Sequence, residues 1–117
     1  MSRREASVAL RQMLDHAREA LAMAEGKTRG DLDINRMLNL ALTKLLEITG
    51  EAANRVRSDE QTRYPQIPWP QLIGLRNRLV HGYDQVDLDI LWQILTRDLL
   101  PLVKELEKIV APEEHSP

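Results

Sequence analysis

Residues 76–83 read Arg-Asn-Arg-Leu-Val-His-Gly-Tyr. An imidazole can transfer a proton near neutral pH, and a guanidinium can hold phosphoryl oxygens by two parallel hydrogen bonds. Together His81 and Arg76 would suffice for cleaving RNA without a metal. The 2′-hydroxyl attacks the adjacent phosphorus, His81 handles a proton, and Arg76 steadies the charge of the pentacoordinate transition state. The substrate carries its own nucleophile, so DNA would be inert by this route. Arg78, three residues from His81, and Asn77, four residues from it, share its face on a regular helix. Arg78 is therefore expected to position the RNA backbone. The same residue types also suit a helix C-terminus, where cations are favoured, so a plain capping role competes with the chemical one.

These groups must be held by helices, because the apolar spacing is helical throughout. Leu10, Leu14, Ala17, Leu21 and Ala24 step by 4, 3, 4 and 3, and Gly26 follows as a stop. Ile34, Leu38, Ala41, Leu45, Ile48 and Ala52 form a second stripe, with Asp31 or Asp33 placed to cap its start. The small Ala41 in that stripe would let a neighbour approach closely. Three prolines between Pro65 and Pro70 then break the pattern. Pro70 suits the opening of a short third helix running to about His81, with Leu72, Leu75 and Leu79 inward. Gly82 is placed to be the left-handed residue that ends it. The fourth stripe is Leu88, Trp92, Leu95, Leu99, Leu102, Leu106 and Ile109. Pro101 lies inside it and predicts a kink near Arg97 and Asp98. No segment alternates with period two. The fold expected is all-α, an antiparallel four-helix bundle over residues 1–111, followed by a polar tail over 112–117.

On that third helix, roughly 100° per residue puts Arg76 and His81 about 140° apart around the axis. Their convergence needs either a distortion of the helix end or a second copy of the chain.

Composition narrows the alternatives. The 117 residues contain no cysteine, which excludes disulfides and thiolate metal sites. The histidines, His16, His81 and His115, lack metal-ligand spacing, and no metal or cofactor is expected. His16 is expected to be exposed. No apolar run is long enough to span a membrane, and a cytoplasmic location is expected. Net charge is only −2, but residues 55–81 carry five arginines against Asp59 and Glu60. Residues 84–117 carry eight acids against three bases, so any anion site belongs to the earlier stretch. Trp69, flanked by two prolines, is expected to cap one end of the bundle rather than stack on a base.

The run Ile67-Pro68-Trp69-Pro70-Gln71-Leu72-Ile73-Gly74-Leu75-Arg76-Asn77-Arg78-Leu79-Val80-His81-Gly82-Tyr83 resembles the HepT family of HEPN-domain proteins, whose hallmark is R-x4-H-x-Y. Gly50-Glu51-Ala52 resembles the family's Gly-Glu-Ala step in the second helix. The resemblance implies a helical homodimer that cleaves RNA without a metal and acts as a toxin, its active cleft at the dimer interface. It implies Arg76 and His81 as catalytic groups, and a minimal nucleotidyltransferase as antitoxin, transferring AMP from ATP to Tyr83. Otherwise Tyr83 is a ring packed at the helix end. Glu51 is either a solvated glutamate or, as the resemblance hints, a partner that orients Arg76. A reading of another class is a non-catalytic helical subunit that presents nucleotide or substrate to a nucleotidyltransferase.

Overall fold

The structure, a computed structural model, describes residues 1–83 and 85–110. The first helix, α1 (Arg3–Ala24), starts on a capping box. The Ser2 hydroxyl accepts from the Glu5 amide at 3.0 Å, and the Glu5 carboxylate accepts from the Ser2 amide at 3.2 Å. It ends where Gly26 turns the chain at φ 75°, as the spacing predicts.

The second stripe is arranged differently from its sequence pattern. Thr28 and Asp31 form a capping box for a short helix, α2 (Arg29–Ile34), so Asp31 is spent there. The long helix α3 (Arg36–Arg55) is capped by Asn35, whose side chain accepts from the Leu38 amide at 3.0 Å. The cap expected at Asp31 or Asp33 is thus corrected to Asn35. Ile34 falls off the inward face because it closes α2 before the chain re-enters a helix, and it is 84% exposed. Asn39 ties the two helices together, its side-chain amide donating to the Leu32 carbonyl.

α3 lies at the centre, between α1 on one side and two short helices on the other. A close backbone approach on α3, one the apolar spacing does not single out, occurs at Gly50. A Cβ there would lie 2.5 Å from the Leu72 carbonyl oxygen, so only glycine admits the neighbouring backbone. After a single turn, α4 (Ser58–Gln61), the proline-rich connection leads into α5 (Trp69–Ile73) and α6 (Leu75–Leu79), joined at Gly74. The third helix is therefore two short pieces, ending two residues before His81. Trp69 is buried and its indole donates to the Tyr64 carbonyl at 3.0 Å, which fixes the bundle end as expected.

Beyond α6 the chain forms a two-stranded antiparallel hairpin, β1 (Val80–His81) and β2 (Gln85–Val86), against the expectation of no strand. Two residues per strand are too few to show a period. Val80 pairs with Val86, and both pack against the core. That burial sets the register and turns the alternate pair, His81 and Gln85, outward.

The fourth stripe runs through α7 (Leu88–Gln93), a π turn (Ile94–Asp98) and α8 (Leu99–Ile109). In the π turn the Leu99 amide reaches back five residues to the Ile94 carbonyl. Pro101 has no N–H for the Arg97 carbonyl and its ring would crowd that oxygen, so the helix widens just before it. The irregularity expected near Arg97 and Asp98 takes this form.

The core is one contiguous set of buried residues. Met13, Leu14, Ala17, Leu42, Leu46, Leu79, Leu91 and Leu106 are at its centre. Among the described residues no helix is long and apolar enough to cross a membrane. The expected tail, 112–117, and the expected last domain residue, 111, lie outside the described residues, as does His115.

Candidate active site

Two backbone hydrogen bonds shape residues 76–87. The Val80 amide donates to the Arg76 carbonyl, closing α6. Val80 then turns extended, with ψ 118°. The Asp87 amide donates to the Leu79 carbonyl at 2.7 Å, which clips the returning strand to the end of the helix. Farther along, Arg29 anchors α7 to α2 through Asp89 at 2.9 Å.

This distortion of the helix end lets Arg76 and His81 border one hollow within a single chain. Because His81 sits on a strand rather than on the next helical turn, it lines the same shallow cavity as Arg76. The cavity is about 190 Å3 and also takes in Asn77, Val80, Gly82 and Tyr83. The helix C-terminus expected around His81 is thereby corrected, and with it the capping role for the imidazole.

The left-handed residue is Tyr83, at φ 60°, not Gly82. The hairpin places its tight point one residue later than a helix stop would. A side chain in that region costs about 1–2 kcal/mol relative to glycine. The Tyr83 ring is completely exposed, so it is not packed against a helix end.

Arg78 parts from His81. Its guanidinium lies 3.9 Å from Asp98 of the π turn and lines a different, mainly apolar groove of about 420 Å3 with Leu72, Leu75, Ile94 and Arg97. The shared face expected for Arg78 and His81 does not form, because β1 swings the imidazole away from the helical path. Glu51 is exposed on α3, and among the described residues no ion pair joins it to Arg76. The Gly50-Glu51-Ala52 step is explained by its flanks, a glycine at a close backbone contact and an alanine with no exposed surface. His16 is half-buried rather than exposed, its Nδ1 at 2.7 Å from the Gln12 carbonyl oxygen.

Asp87 approaches His81, and no motif flags it. Its Oδ2 lies 3.7 Å from His81 Nε2. The available signal was its place just before the Leu88 stripe, where an aspartate serves as an N-cap, and it does cap α7. Among the described residues, no three His, Cys, Asp or Glu side chains gather as a metal-ligand set.

A solvent-facing cavity with a guanidinium, an imidazole and a carboxamide suits binding and proton transfer at a phosphodiester on an all-α frame. The family model described as Ribonuclease HepT-like matches residues 13–109, and the chain belongs to that family. Among its relatives is a protein of Methanocaldococcus jannaschii named "Putative RNase MJ1380", 32% identical over 107 residues, 92% of this chain and 98% of the relative. Another, named "Probable ribonuclease HepT", comes from Thermococcus cleftensis and is 31% identical over 100 residues, covering 82% of this chain and 91% of the relative. No solved structure matches the chain.

Proposed function

We propose that the chain is a metal-independent endoribonuclease, the toxin of a two-component system, acting in the cytoplasm. The observation that carries this reading is the meeting of Arg76, Asn77 and His81 in one exposed cavity of a HepT-like chain. Arg76 holds the scissile phosphate and stabilises the transition state, and Asn77 donates to a phosphate or sugar oxygen beside it. His81 takes the proton of the 2′-hydroxyl as its oxygen bonds to phosphorus. The bond from phosphorus to the 5′-oxygen breaks, and that oxygen is protonated as it leaves. The products are a 2′,3′-cyclic phosphate and a free 5′-hydroxyl.

The active form is a homodimer, with the cleft where two copies meet. Exposed apolar side chains support this: Ile34 at the end of α2, and Met37 and Leu40 at the start of α3. Leu40 also borders a hollow shared with Arg76, Val80 and Val86, so this apolar surface leads into the cavity that holds His81. In such a dimer a second imidazole is at hand to protonate the leaving 5′-oxygen, and Glu51 and Arg78 are free to contact RNA or the other copy.

The antitoxin is a minimal nucleotidyltransferase that modifies Tyr83. The phenol oxygen bonds to the α-phosphorus of ATP, pyrophosphate leaves, and the phenol proton is lost. Full exposure of Tyr83 in a strained turn suits an acceptor presented to another protein. The attached phosphodiester would sit two residues from His81 and occupy Arg76 as an RNA phosphate does.

Expression of the chain alone tests the reading. Growth arrest that is lost in Arg76→Ala and in His81→Ala, with cellular RNA acquiring cyclic-phosphate ends, is expected. Harmless expression with retained binding to a nucleotidyltransferase would replace it by the non-catalytic subunit. On co-expression, mass spectrometry is expected to find AMP on Tyr83. Neutralisation that persists in Tyr83→Phe without AMP transfer would remove modification as the mechanism.

A further inference from the structure

Asp87 is anchored through its amide, its carbonyl, which accepts from the Leu91 amide at 2.9 Å, and one carboxylate oxygen, which leaves the other oxygen to act on another side chain. Its amide N–H donates to the Leu79 carbonyl at 2.7 Å. Its Oδ1 accepts from the Ile90 amide at 3.0 Å and so caps α7. The remaining oxygen, Oδ2, faces His81 Nε2 at 3.7 Å. Among the described residues it is the one acid at ion-pair distance from that imidazole. Arg76, Asn77 and Tyr83, among the described residues, line the cavity with His81. None of them is an acceptor that could compete for an imidazole N–H as strongly as a carboxylate does.

We infer that Asp87 is the positioning residue of the ribonuclease site, holding His81 with its Nε2–H directed at Oδ2 and leaving Nδ1 to take the 2′-hydroxyl proton. The inference rests on the proposed cleavage reaction and deepens it. Which ring nitrogen of a histidine carries the proton is set by the partner of the other. At 3.7 Å the two groups are at ion-pair distance, longer than a hydrogen bond, and because a carboxylate accepts only, closing that gap makes Nε2 the donor. The cap favours this arrangement, because rotating the carboxylate away from His81 would also break the bond that starts α7. One residue thus couples the start of a helix to the tautomer of the imidazole.

Asp87→Asn separates the two roles. Asparagine is as good an N-cap as aspartate, so its oxygen stays on the Ile90 amide. The amide NH2 then takes the place of Oδ2 and donates to Nε2, which forces the proton onto Nδ1. The expected result is an unchanged melting temperature and an unchanged KM, with kcat lower by roughly tenfold or more, against the about 10²–10⁴-fold that general acid–base assistance supplies in full. Nitrogen-15 NMR of the imidazole is expected to show the neutral form as Nε2–H in the native protein and as Nδ1–H in Asp87→Asn. Asp87→Ser, which keeps a cap and has no group to reverse the tautomer, is expected to fall between the two in kcat. A kcat in Asp87→Asn equal to that of the native chain, or an imidazole that keeps the same tautomer in both proteins, overturns the inference. A His81→Ala protein that still cleaves RNA would instead overturn the cleavage reading itself, and the NMR result stands apart from either rate.

Discussion

The packing between α1, α3 and α8 and the turn at residues 76–87 are built on opposite rules. In the first, Met13, Leu14, Ala17, Leu46 and Leu106 have essentially no exposed surface, and side chains carry the stability. In the second, Arg76, Asn77, His81 and Tyr83 are all exposed, and the backbone does the holding. Its fasteners are the Val80–Val86 pairing and the Asp87 amide on the Leu79 carbonyl. Asp87, which caps α7 and faces His81, belongs to both; otherwise the side chains expected to do chemistry contribute little to folding there. Stability and activity should therefore separate on mutation.

The largest effect expected is on activity alone. Arg76→Ala and His81→Ala should each lower single-turnover RNA cleavage by about 10²–10⁴-fold, the range for a lost acid–base or transition-state contact. Thermal melts of both variants should stay within about 0.5 kcal/mol of the native protein, as for exposed sites generally. A large loss of stability in either would break the comparison.

Leu46→Ala is the converse case. Truncating this fully buried leucine should cost about 2–5 kcal/mol in denaturant unfolding. The fraction that remains folded should cleave at the native rate per molecule.

Gly50→Ala sharpens the contrast because it touches both regions. The added Cβ would lie 2.5 Å from the Leu72 carbonyl oxygen, on the helix that leads into α6. Overpacking of that kind costs about 1–3 kcal/mol. Here stability and cleavage should fall together, since displacing α5 moves Arg76. A drop in stability with unchanged cleavage would show that the two regions are mechanically independent.

Tyr83→Phe should have the smallest effect on folding. The ring is wholly exposed and no hydrogen bond to its hydroxyl is found among the described residues, so unfolding free energy should change by less than about 0.5 kcal/mol. A larger loss would mean that the hydroxyl supports the turn.

Much of this was open to inspection in the chain itself. Repeated apolar spacing in α1, α3 and the α7–α8 stripe declared helices, because each pattern averages over many residues and tolerates an exception. The prolines at 65, 68 and 70 marked the break, and Pro101 marked the helix irregularity, since a missing N–H acts locally. The R-x4-H-x-Y spacing pointed to Arg76, His81 and Tyr83 before any coordinates. Ile34 misled for the same reason that the stripes succeeded. It fits the average pattern, but Asn35 restarts the helix between Ile34 and the rest.

What periodicity could not reach was decided by contacts between residues distant in sequence or too few to show a period. The hairpin exists because Val80 and Val86 find each other against the core, an association that depends on where α6 ends and α7 begins. From it follow the outward turn of His81, the left-handed Tyr83, the parting of Arg78 toward Asp98 and the approach of Asp87. Residue types along the chain determined which chemistry was available. Only the folded backbone determined which of those groups meet, because a two-residue strand leaves no signature until its partner is beside it.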